Sequence, residues 1–93
     1  MPRPSRPQPR DGSSDWPHVP AEDPVFEAAR RFAENVKTAI GDQSVRAAAR
    51  DAGIAHATIV AILQGRAWPD LETIAKLESG LGVDLWPGRV RGE

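Results

Sequence analysis

Apolar residues recur at helical spacing in four stretches of this chain. Ala29, Phe32, Ala33, Val36 and Ile40 form the first. Asp23 followed by Pro24 supplies an N-cap and a proline at the first helical position, so the pattern predicts a helix over 24–40 that stops at Gly41. Ser44 caps a second helix with Ala48, Ala49 and Ala52 facing inward, ending at Gly53. A third starts near His56, carries Ile59, Ile62 and Leu63 on one face, and stops at Gly65. Ala55 stands at its N-cap position and offers no side-chain acceptor, which leaves His56 or Thr58 to compensate. The fourth opens at Asp70 after Pro69 and runs through Leu71, Ile74, Ala75, Leu77 and Leu81 to a glycine stop at Gly82. Val83, Leu85 and Trp86 then read as a short apolar turn that closes the core. Nothing alternates with period two, so the fold class expected is all-α, a small bundle of four to five helices.

The second and third helices are joined too tightly for an ordinary loop. Within Val45–Gln64, Ala49 lies where one helix meets the other, and only a small side chain lets two backbones come that close. Gly53 sits in the turn, where a positive φ is needed and a Cβ would clash. Ala48, Ala52, Ile54, Ile59 and Ile62 supply the buried positions around this pair. The arrangement reads as a helix-turn-helix.

Composition divides the rest of the chain. Residues 1–23 hold six of the nine prolines, three arginines and four acids, with Trp16 the single aromatic. Such a segment lacks the apolar surface to offset its ordering entropy, and a disordered tail is expected. Residues 24–86 form one domain and 87–93 a polar C-terminal tail. Ninety-three residues, 40% of them hydrophobic, suffice for one small core. Trp68 and Trp86, each followed by proline, are expected as lids on it.

The chain has no cysteine, which excludes disulfides, thiolate zinc sites and a cysteine nucleophile. It also lacks the ~18-residue apolar run of a membrane span and the apolar core of a signal peptide, so a cytoplasmic protein is expected. His18 and His56 are too isolated for a metal cluster, no activated serine is evident, and Gly80–Gly82 reads as a helix end rather than a phosphate loop. No enzyme activity, cofactor, metal or small-molecule ligand is expected.

Charge placement says more than the net value of −1. Between Ser44 and Arg66, Arg46, Arg50 and Arg66 face only Asp51. Arg46 and Arg50 lie four apart on the outer side of the second helix, within reach of phosphates, and Arg66 follows the third. The outward face of the third helix presents His56, Ala57, Val60, Ala61 and Gln64. In a helix-turn-helix that face enters the major groove, where His56 meets a purine edge or a phosphate and the small residues meet thymine methyls. Few of these side chains make bidentate base contacts, so DNA shape is expected to share in specificity.

The matching residues are Ser44 with Ala48-Ala49, Gly53-Ile54, Thr58-Ile59 with Ile62, Gly65, then Pro69-Asp70-Leu71-Glu72-Thr73 with Leu81-Gly82-Val83. Over about 25–86 this pattern resembles the lambda-repressor-like helix-turn-helix proteins, which include phage repressors, Cro proteins and Xre-type regulators. The resemblance implies a helical bundle that binds double-stranded operator DNA, often as a homodimer, and regulates transcription. It implies base reading at His56, Ala57 and Ala61, with phosphate contacts at the start of the second helix (Ser44), at Gln64 and at Arg66. Thr58 joins the phosphate candidates. Val45 departs from the family, which often has glutamine there, and so does Ala55, often serine or threonine. The sparse reading face leaves a second expectation: a protein-interaction module on the same fold, antitoxin-like or an accessory subunit.

Overall fold

The computed structural model describes residues 6–91, and its regular elements are all helical. They are a 3-10 turn (Pro9–Gly12), α1 (Pro24–Ile40), α2 (Val45–Ala52), α3 (His56–Leu63) and α4 (Leu71–Leu81). Three of the four α-helices begin where a local side chain takes up a free amide. Asp23 accepts from the Val25 N–H, Ser44 from Ala47 and Asp70 from Thr73. The exception is α3: Ala55 has the extended backbone of an N-cap, and neither His56 nor Thr58 caps the helix in its place.

The core lies where α3 and α4 are packed between α1 and α2. Phe32 and Val36 of α1, Ile59 of α3 and Leu77 of α4 are fully buried, with Ala48, Ala49 and Ala52 of α2 filling the thin gaps between them. The α2–α4 crossing brings backbone against backbone. A Cβ on Gly80 would stand 2.5 Å from the Ala52 Cα and 2.6 Å from the Asp51 carbonyl oxygen. Gly80 is the penultimate residue of α4, in the helix end that its spacing before the left-handed Gly82 cap predicts, and the close contact adds a second reason for glycine there.

Leu85 closes the bundle from the C-terminal side. It is fully buried, its N–H donates to the Glu78 carboxylate at 2.7 Å, and its carbonyl accepts from Asn35 Nδ2 at 2.8 Å. The adjacent Trp86 is not a lid: it is 53% exposed. Leu71 likewise faces solvent, 81% exposed, and Ala75 is exposed. The inward stripe of α4 is narrower than its apolar pattern, because α2 meets it through Gly80 and Leu77 alone occupies the centre. Residues 87–91 have no regular structure. Arg89 and Val90 line a groove with Pro24, Glu27 and Arg31 of α1.

The largest departure is at the N-terminus, where residues 6–23 form a strap instead of the disordered tail expected over 1–23; residues 1–5 of that expectation lie outside the described residues, as do 92 and 93 of the C-terminal tail. Pro9 is buried and the 3-10 turn packs on α1. Trp16 donates its Nε1–H to the Leu63 carbonyl at 2.9 Å, and Trp68 donates to the Pro7 carbonyl at 2.7 Å. The far end of the strap is tied through Glu27, a carboxylate only 4% exposed. It accepts from Arg30 (2.7 and 2.6 Å), from Arg31 Nε (2.8 Å) and from the Ala21 backbone N–H (2.9 Å). Arg30 in turn donates to the Pro17 carbonyl. Proline explains how so polar a segment can order: its fixed φ lowers the entropy of the unfolded strap, so few contacts are needed to hold it.

Candidate nucleic-acid interface

The site is built on the turn between α2 and α3. Gly53 takes a left-handed conformation (φ 70°, ψ 35°), and the Ile54 N–H returns to the Ala49 carbonyl at 3.1 Å. That closes the end of α2 as only glycine does without strain, and it directs the chain into α3. Ile59 and Ile62 then anchor α3 in the core at 0% and 2% exposure.

The opposite side of α3 carries the expected reading residues. Ala57 and Gln64 are exposed, whereas His56, Thr58, Val60 and Ala61 are half-buried. The surface they form is low and uncharged. α3 has no acid in its first turn and no base in its last, and no side chain caps its first amides. The Thr58 N–H is bonded to the Ala55 carbonyl at 3.0 Å, and the amides of His56 and Ala57 are of the kind that a phosphate oxygen can meet.

Cations precede and follow this helix along the chain. Arg46 and Arg50 on α2 are exposed, and among the described residues neither pairs with a carboxylate. Arg66 is also exposed and donates its Nε–H to the Gln64 carboxamide oxygen at 2.8 Å. The two expected phosphate ligands beyond α3 thus orient one another and leave the guanidinium's terminal N–H groups open to solvent. Ser44 keeps its hydroxyl hydrogen free while its oxygen accepts from Ala47. Ser44, Arg46 and Arg50 therefore sit before and along α2, with Gln64 and Arg66 at the far end of α3.

Residues outside the helix-turn-helix also reach this place, among them Arg6 and Arg10, which with Arg3 the sequence offers as a basic arm while the neighbouring Asp11, Asp15, Glu22 and Asp23 favour an inert tail. The Arg10 N–H donates to the Gly65 carbonyl at 3.0 Å, and a Cβ on Gly65 (φ 70°) would collide with the Trp16 ring. The Arg6 guanidinium stands over the Trp68 ring at 4.9 Å from its centroid, and Phe26 meets the same ring edge-on at 5.3 Å. A tryptophan inside the proline-rich segment is the sequence signal for its docking.

Among the described residues no His, Asp and Glu side chains gather in a group fit for a metal ion, and no helix is long and apolar enough to cross a membrane. None of the curated proteins compared matches this chain significantly. Residues 43–85 match the family model described as Helix-turn-helix, a span that takes in α2, α3, α4 and Leu85 and leaves out α1 and the strap. Over those residues the chain is similar to helix-turn-helix domains of the Cro/C1, lambda-repressor-like type, a family of DNA-binding domains.

Proposed function

We propose that this protein is a sequence-specific double-stranded DNA-binding regulator of transcription, repressor-like, that reads the major groove with α3. The observation that carries the reading is the pairing of a low, uncharged outer face on α3 with exposed arginines, unpaired with any carboxylate among the described residues, on α2 before it and in the loop after it. His56, Ala57, Val60 and Ala61 meet base edges, the small residues against thymine methyls. Ser44, Arg46, Arg50, Thr58, Gln64 and Arg66 meet phosphates, which set affinity and register without carrying sequence information. Binding that occludes a promoter is the repressor-like action.

One α3 of eight residues covers few base pairs, so the protein acts as a homodimer on two half-sites about one helical turn apart. The C-terminal segment supports this. Val25 and Trp86 are 63% and 53% exposed on an apolar groove of about 380 Å³ that Phe32, Pro69 and Val90 also line. An apolar surface of this kind, with Arg89 as the charged residue of its lining, suits a second protein surface.

Selection from a random duplex library at low salt tests the reading. Enrichment of a two-fold symmetric site is the expected result. Failure to enrich any sequence overturns it and favours the protein-interaction module, for which the shortage of long polar side chains on α3 is the supporting feature.

A further inference from the structure

Three arginines from separate parts of the chain converge on the loop that follows α3. Arg66 belongs to the loop itself. Arg10 is held to it by the hydrogen bond from its N–H to the Gly65 carbonyl. Arg6 is stacked over Trp68, whose indole N–H fixes the adjacent Pro7 carbonyl. All three side chains are exposed, and among the described residues none is paired with a carboxylate. The carboxylates nearest in sequence are otherwise engaged: Asp11 accepts from the Gln8 N–H and Asp70 from the Thr73 N–H. The strap that brings Arg6 and Arg10 lies outside the family-matched span.

We infer that the N-terminal strap is part of the DNA-binding surface: Arg6 and Arg10, docked beside Arg66, form a second phosphate-contacting edge at the C-terminal end of α3. This rests on the reading of the protein as a DNA binder. The arginines of α2 hold the backbone ahead of the reading helix, and the strap supplies cations at its C-terminal end. Because Trp16, Trp68 and Gly65 hold the strap on the folded domain, those cations are in place before DNA arrives. Little ordering entropy is then lost on binding, unlike a free basic arm. The cost of losing them is sequence-independent, since a phosphate contact is alike at every site.

The test is the salt dependence of binding to a fluorescent duplex, measured by anisotropy on the full chain. Each phosphate neutralised contributes about 0.9 to the slope of log K against log salt. Arg6→Gln/Arg10→Gln is expected to reduce the slope by about 1.8 on specific and random duplex alike. Arg6→Lys/Arg10→Lys keeps the charge and restores the slope, even if the stacking on Trp68 weakens. Thermal melts of both variants establish that the domain is folded at the assay temperature. A slope unchanged in the glutamine variant overturns the inference and leaves the DNA-binding reading standing. A wild-type protein that binds no duplex at low salt overturns both.

Discussion

Glu27 is the residue whose chemistry departs furthest from the ordinary. Its carboxyl is held at about 2 against a usual 4.5, chiefly by the hydrogen bonds from Arg30, then by those from Arg31 and the Ala21 N–H, with burial opposing them. A carboxylate whose folded value is depressed stabilises the fold above its unfolded value, and that contribution is lost as pH falls toward the folded one. Stability is therefore expected to be level above about pH 5 and to decline between about pH 4.5 and 2, by an amount on the order of 3 kcal/mol. Glu27→Gln should be destabilised at pH 7 and show a flatter acid limb, which urea melts from pH 2 to 7 will measure. A parallel acid limb in wild type and variant would remove Glu27 as its cause. None of this was legible in the sequence. Glutamate at this place in α1 has the periodicity of an exposed residue, and its burial depends on the strap that supplies Ala21.

At the scale of elements, what could be read from the chain was local. The caps Asp23, Ser44 and Asp70 each act on an amide two or three residues away, so residue type and spacing suffice to place the starts of α1, α2 and α4. The positive φ of Gly53 is local for the same reason. Gly80 is the opposite case, since its requirement comes from α2, about thirty residues earlier in the chain. Gly80→Ala would improve helix propensity by about 1 kcal/mol in isolation. Here the methyl meets main-chain atoms of Ala52 and Asp51, which cannot rotate aside. The net result expected is a loss of about 2 kcal/mol or more, because overpacking shifts the two helices apart. A melt in which the alanine variant is as stable as wild type would mean that α4 can slide without cost. The narrow inward stripe of α4 follows from the same contact. Leu71 and Ala75 have helical spacing, but no neighbour covers their side.

The whole molecule differs from its helix-turn-helix by the strap. Trp16 is half-buried against the core, and its indole N–H takes up one of the carbonyls that the end of α3 leaves free. Trp16→Ala is expected to destabilise the domain by about 2 kcal/mol, less than the ~3–5 kcal/mol of a fully buried aromatic. Trp16→Phe, which keeps the ring and loses the hydrogen bond, should fall by about 1 kcal/mol. A mobile tail predicts changes within about 0.5 kcal/mol for both, so chemical denaturation of the pair decides whether the strap belongs to the folding unit.

The sequence by itself determined the all-helical fold, the order of its four helices and the helix-turn-helix. Those follow from 3.6-residue periodicity, side-chain caps and a positive-φ glycine, which act over a few residues. Only the tertiary structure decided that residues 6–23 pack on the domain, that Glu27 is buried as a carboxylate, that Trp86 faces solvent and that Arg6 and Arg10 stand beside Arg66. Each of these depends on partners far along the chain, such as Trp16 with Leu63 47 residues away and Trp68 with Pro7 61 residues away. Composition marks such a segment as unable to form a core alone. It carries no information about a surface that another part of the chain provides.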